Sequence, residues 1–167
     1  MTTTVVIPNY HVNGLSGKYY YGAVVATSKK ASSKRVSIIR YLLTDNNETV
    51  TDHKTGLIWQ RAGDGNIRNW ADANQYCVDL VLGGKADWRL PGIDELVTII
   101  DFSRYYPAID PVFSCFSCDY MWYPCWSSST PVDYPVYAWF VFFFNGYVGA
   151  YDKSTNNLYA RCVRVGP

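Results

Sequence analysis

The sequence lacks any apolar run near the roughly 20 residues of a membrane-spanning helix, so no span is expected. It also lacks an excess of either charge. Fifteen Lys and Arg stand against 14 Asp and Glu, for a formal net charge of +1. A nucleic-acid binder needs a basic surplus to neutralise phosphates, so that class is disfavoured. No secretory leader is visible. Met1-Thr2-Thr3-Thr4 is uncharged, and Val5-Val6-Ile7 is too short an apolar stretch before Pro8. The default expectation is therefore an intracellular protein.

Histidine is scarce, with only His11 and His53, and neither lies near Cys115, Cys118 and Cys125. A zinc site normally takes four N or S ligands, so a metal is not expected there; loop-stapling or variable cysteines fit better. Glu-Pro-Asn and Trp-Asn-Asp signatures of calcium-dependent sugar binding are missing, although Asp119 and Asp133 are available. No nucleophile elbow is present, and Asp94-Glu95 fit the first turn of a helix, where acids favour the dipole. The expectation is a noncatalytic chain with no cofactor and no metal.

What the chain does have is aromatic side chains. Tyr numbers 15, Trp 6 and Phe 7, and fifteen of these rings fall between Phe113 and Tyr151. A core alone seldom needs that density, because native interiors mix rings with Leu, Ile and Val. Tyr and Trp in excess suit recognition surfaces, where they supply rigid amphipathic area at low entropy cost. Charge is uneven too. Residues 1–40 hold six basic groups and no acid, whereas the remainder carries a net charge of −5. Two regions follow: a basic segment over 1–40, packed on or flanking the rest, and one domain over 41–167.

Local patterns predict an α+β domain. Val36 to Leu43 reads as a strand, and short strands are expected at Thr49–Thr51 and Leu57–Gln60. Asn69 is placed to cap a helix from Trp70 to Val81, with Trp70, Ala73, Cys77 and Leu80 on one stripe. A second helix is expected from Ile93 to Asp101. Glu95 there provides half of a capping box whose usual hydroxyl is missing at Gly92. In the segment Asp87-Trp88-Arg89-Leu90-Pro91, Trp88 and Leu90 are expected to pack, and Asp87 and Arg89 to bind loop backbone.

Asn145-Gly146 is the dipeptide favoured in a two-residue type I′ hairpin turn. That turn would pair Phe144 with Tyr147, Phe142 with Gly149 and Phe140 with Tyr151. Alternation then gives one core face (Trp139, Val141, Phe143, Val148, Ala150) and one outward face (Phe140, Phe142, Phe144, Tyr147, Gly149, Tyr151). A last strand from Leu158 to Val165 would complete a small antiparallel sheet.

Several ordered motifs carry a resemblance. They are Val50-Thr51-Asp52-His53-Lys54-Thr55-Gly56-Leu57-Ile58-Trp59-Gln60, Trp70-Ala71-Asp72-Ala73 with Cys77, Asp87-Trp88-Arg89-Leu90-Pro91, Glu95-Leu96, Trp126-Ser127-Ser128, Ala138-Trp139 and Arg161-Cys162-Val163-Arg164. Over about residues 40–166 the chain resembles the Lcl C-terminal-domain family. The resemblance implies a C-type-lectin-like fold, with two helices packed on small twisted antiparallel sheets and long irregular loops. It implies that Cys77 and Cys162 match the family's pair, either as a disulfide or as packed thiols. Some members are variable proteins of diversity-generating retroelements, in which adenine-directed mutagenesis diversifies codons near the C-terminus. The alternate positions of the 139–151 hairpin are where such variation would fall.

The expected ligand site is Tyr120, Trp122, Tyr123, Tyr134, Tyr137, Phe142, Phe144, Tyr147, Gly149 and Tyr151, and the expected partner is another protein. The alternative is a structural or adhesive module that uses the aromatic face for self-association or subunit packing.

Overall fold

In the computed structural model, residues 39–113 and 124–167 are described. Four strands, β1 (Tyr41–Thr44), β2 (Thr49–Asp52), β3 (Leu57–Gln60) and β7 (Val163–Val165), form an antiparallel sheet in the order β1-β2-β3-β7. A second antiparallel sheet has the order β4-β5-β6, built from β4 (Cys125–Trp126), β5 (Tyr137–Phe142) and β6 (Tyr147–Asp152). The last strand therefore joins β3 and not the hairpin, and it is shorter than expected. Leu158 and Tyr159 make only isolated bridges, to Arg68 and Cys125. The architecture is α+β, with two small helices and two small sheets.

Helix α1 (Trp70–Asp79) starts where Asn69 predicts, because the Asn69 side-chain oxygen accepts from the Asp72 N–H at 2.9 Å. Helix α2 (Ile93–Leu96) is one turn long and continues as a 3-10 turn over Val97–Ile99. Its half capping box is completed from elsewhere. Glu95 accepts from the Gly92 N–H at 2.8 Å, and Ser129, far along the chain, accepts from the Ile93 N–H at 2.9 Å. A start that lacks its own hydroxyl is thereby tied to the segment leading into β5.

Strands β3 and β4 and the middle of β5 bury both faces. Trp59 of β3, Cys125 of β4 and Val141 of β5 join one apolar cluster with Leu96, Ile99, Ile109, Phe113 and Phe143. Their sequence neighbours Ile58, Trp126 and Phe140 join a second cluster with Ala73 and Cys77 of α1, Trp88, Leu90 and Ala160. Period-2 alternation thus serves two cores, with α2 on one side and α1 on the other. Cys77 and Cys162 are joined as a disulfide inside the second cluster, with Cα atoms 5.4 Å apart and 85 residues between them in sequence. Closing so long a loop stabilises the fold by about 4–5 kcal/mol in the chain-entropy account.

Ion pairs hold the outside of this frame. Arg89 binds Glu95 through two bonds of 2.6 Å, and Arg164 binds Asp87 at 2.7 and 3.0 Å. These side chains pair with one another and not mainly with loop backbone, while Trp88 and Leu90 pack as expected. The Arg89 guanidinium holds the Glu95 carboxyl below the usual range. Asp52 is buried; burial alone would raise its pKa, but the bidentate Arg40 contact and the Lys54 N–H outweigh it and leave it lowered.

Candidate functional site

The hairpin of β5 and β6 is registered two residues away from the expected pairing. Phe142 faces Tyr147, Phe140 faces Gly149 and Ala138 faces Tyr151. Four residues, Phe143 to Gly146, make the connection. The Asn145 and Gly146 N–H groups both reach back to the Phe142 carbonyl, at 3.4 and 2.9 Å, and Gly146 alone of the four takes a left-handed φ, +79°. A type I′ turn needs positive φ at both central residues, so Asn-Gly here closes a helical turn instead. Phe143 still enters the core beside Val141, as alternation predicts, while the carbonyls of Phe143 and Phe144 accept from the Ala108 and Tyr106 N–H groups instead of extending the β5–β6 ladder. Asn145 still contributes, accepting from the Tyr147 N–H at 3.0 Å.

A shift of two residues leaves every side chain on its expected face, but burial sorts them differently. Phe140, expected on the outward face, is buried within the second cluster, and Phe142 is half-buried against it. Gly149, expected as a contact residue, is buried. A Cβ there would sit 2.8 Å from the rings of both Phe140 and Tyr147, so the position is a floor that rings cross, not a displayed one. Trp139, expected in the core, is half-buried and outside both clusters. Val141 and Val148, on the same face, do pack with the first cluster.

What remains displayed is tyrosine. Tyr147 is 58% exposed and Tyr151 43%, on the same face of β6. Tyr151 stacks on Phe140, with centroids 4.4 Å apart and planes 21° apart, and Tyr147 leans on the same ring at 6.1 Å. Phe140 is thus a buried base carrying two exposed rings. Tyr134 and Tyr137 pair edge to face at 6.1 Å. Tyr137 opens β5 on the opposite face, so this pair stands apart from Tyr147 and Tyr151. Lys153 fixes the approach to it: its N–H donates to the Val136 carbonyl, its ammonium donates to the Pro135 carbonyl at 2.9 Å, and the same ammonium lies over the Trp70 ring at 4.4 Å. Tyr120, Trp122 and Tyr123 lie outside the described residues, as do Cys115 and Cys118. Cys125 is buried on β4.

Three rings that sequence reasoning missed complete the surface: Phe102, Tyr105 and Tyr106. The Tyr106 N–H donates to the Phe144 carbonyl at 3.0 Å, and the Ala108 N–H donates to the Phe143 carbonyl at 2.7 Å. This backbone clasp brings both tyrosines edge-on to Phe144, at 5.3 Å for Tyr105 and 4.9 Å for Tyr106, while Phe144 stacks on Phe142 at 5.5 Å. Phe102 presses on the hairpin loop, where a Cβ at Gly146 would lie 3.1 Å from its ring. All three rings are more than half exposed. The cluster Phe102-Ser-Arg-Tyr-Tyr-Pro107 was the available signal, but it sits outside the aromatic-rich stretch and its pairing with the hairpin is long-range.

One face therefore carries a row of rings along Tyr151, Phe140, Phe142 and Phe144 to Tyr105 and Tyr106, with Tyr147 beside it. Beside Phe102 opens a cleft of about 400 Å³ that Tyr41, Asp101 and Asp110 also line. Burial pushes the Tyr41 hydroxyl well above its usual range, so it stays protonated and a hydrogen-bond donor. Among the described residues no three His, Cys, Asp or Glu stand together as metal ligands, and no helix is long and apolar enough to cross a membrane. The arrangement offers apolar area edged with phenolic hydroxyls.

A search of curated proteins finds no match to the chain. A family model, by contrast, matches residues 48–164, which spans β2 through the middle of β7 and takes in the disulfide, both helices and the hairpin. The chain belongs to the Lcl C-terminal domain family.

Proposed function

We propose that this chain is a noncatalytic binding protein on a C-type-lectin-like fold, and that it takes a protein ligand on the aromatic face of the β5–β6 hairpin. The observation that carries this reading is the pairing of a buried ring with exposed ones. Phe140 is sealed into the core, while Tyr147 and Tyr151 rest on it and remain exposed. Rigid anchors of this kind bury apolar area on binding and satisfy their polar tips, and a few such rings dominate affinity. The tyrosines at 105 and 106 extend the same face.

The reading includes diversification as a retroelement variable protein. Tyr147 and Tyr151 can change without entering the core, whereas Phe140 and Gly149 cannot, so variation belongs to the first pair. Two experiments test the proposal. A near-copy of the coding segment for residues 118–164, differing at adenines and lying beside a reverse-transcriptase gene, is the expected genomic finding. For binding, proteins captured by the wild-type chain are compared with those captured by Tyr147→Ser/Tyr151→Ser. Selective loss of one captured protein from a folded double variant is expected; an unchanged set rejects the site.

A further inference from the structure

The outer edge of β6 carries a second, separate message. The Trp139 N–H donates to the Ser129 carbonyl and its carbonyl accepts from the Ser127 N–H, both on the β4 side of β5. Backbone groups alternate in direction along a strand, so Ala138, Phe140 and Phe142 face β6, and their partners Tyr151, Gly149 and Tyr147 face back. Val148 and Ala150 then point their N–H and C=O groups away from the sheet. Among the described residues no strand lies beyond β6, and no main-chain partner meets those four groups.

Natural edges are usually blunted by Lys, Pro, bulges or an inward charge. From 147 to 151 this edge has none of them. The Asp152 carboxylate, which follows, is turned back onto the N–H groups of Ser154 and Thr155. The edge is also self-complementary in sequence: Tyr147-Val148-Gly149-Ala150-Tyr151 reads nearly the same in both directions about Gly149. Direction and pattern agree on one register. A two-fold axis at Gly149 sets Val148 against Ala150 of a second copy as a hydrogen-bonded pair, and Tyr147 against the copy's Tyr151 as a non-bonded pair with the rings side by side.

We propose that the chain forms a symmetric dimer by antiparallel pairing of its β6 edge with that of a second copy, making one six-stranded sheet. Backbone groups form this contact, so it does not rest on ligand binding by the tyrosines. Its effect on them is to merge two aromatic faces into a single double-length platform.

The test uses sedimentation velocity on the full chain across a wide range of concentration. A reversible dimer is expected, and a monomer at every concentration overturns the proposal. Ala150→Pro removes one outward N–H at a place where an edge strand tolerates proline. It is expected to weaken dimerisation at least tenfold while circular dichroism stays native. Should that variant unfold, Ala150→Lys serves instead, and a dimer of undiminished affinity in the folded variant overturns the proposal. Register is read from Tyr147→Cys/Tyr151→Cys, which should form a covalent dimer on mild oxidation. Tyr147→Cys alone should not, since its two copies lie four residues apart along the seam, about 13 Å. Equal cross-linking by both, or by neither, points to another contact and rejects this one.

Discussion

Strands β5 and β6 are neighbours of equal length, joined by four residues, yet they play opposite parts. Along β5, Ala138, Phe140 and Val141 are buried and feed two different cores. Along β6, Tyr147 and Tyr151 are exposed, Gly149 lies under a ring, and Val148 is only partly covered. The difference comes from place in the sheet. A central strand is closed in by whatever packs on each face, whereas an edge strand has one side with no neighbour. Substitution on β6 is therefore nearly free where the ring is displayed, and costly where the main chain forms the floor.

The largest expected effect separates the strands directly. Phe140→Ala should lose about 3–5 kcal/mol in denaturant unfolding, the range for truncating a buried aromatic, while Trp139→Ala, one residue earlier, should lose less than half of that. Equal losses would erase the distinction drawn here between a core ring and a half-covered one. Next comes Gly149→Ala, whose new methyl has no room beneath Phe140 and Tyr147. A cost of about 1–3 kcal/mol is expected from overpacking, and a neutral result would show that the rings move aside.

Acid acts on the frame and spares the display. Glu95 and Asp52 have carboxyls held below their ordinary values by Arg89 and Arg40. A lowered folded-state pKa gives stability that is present above the unfolded value and lost as pH falls through the folded one. Stability should therefore be level above about pH 5 and decline below about pH 4, by up to about 1 kcal/mol for each partly exposed pair. Melting curves across pH 3–7 would check this; a decline beginning near neutrality would contradict it. Smallest of all, Tyr147→Ala should change stability by about 0.5 kcal/mol or less, as surface substitutions usually do.

Local structure was legible wherever a short-range cause set it. The Asn69 cap, the β3 boundaries and the packing of Trp88 and Leu90 follow from residues within one turn or strand. The hairpin shows the limit. Asn-Gly marks a turn correctly, but its type depended on long-range main-chain bonds from Ala108 and Tyr106 to the Phe143 and Phe144 carbonyls, which take those residues out of the ladder. Alternation gave the two faces of β5 without saying that both would be covered, because the covering layers come from distant parts of the chain. The site was half legible for the same reason. Tyr147 and Tyr151 follow from the hairpin itself, whereas Tyr105 and Tyr106 arrive through main-chain bonds to Phe143 and Phe144 that no local pattern announces.

The clasp between Tyr106 and Phe144 and between Ala108 and Phe143 reaches beyond placing two rings. It measures the hairpin: one residue inserted between Phe143 and Phe144 would put their two carbonyls out of step with the Ala108 and Tyr106 N–H groups. Under the binding role proposed above, the face is one whose letters can be rewritten while its line keeps a fixed length, unlike recognition loops that gain reach by growing. On that proposal, new specificity would come from exchanging side chains on a backbone of constant length.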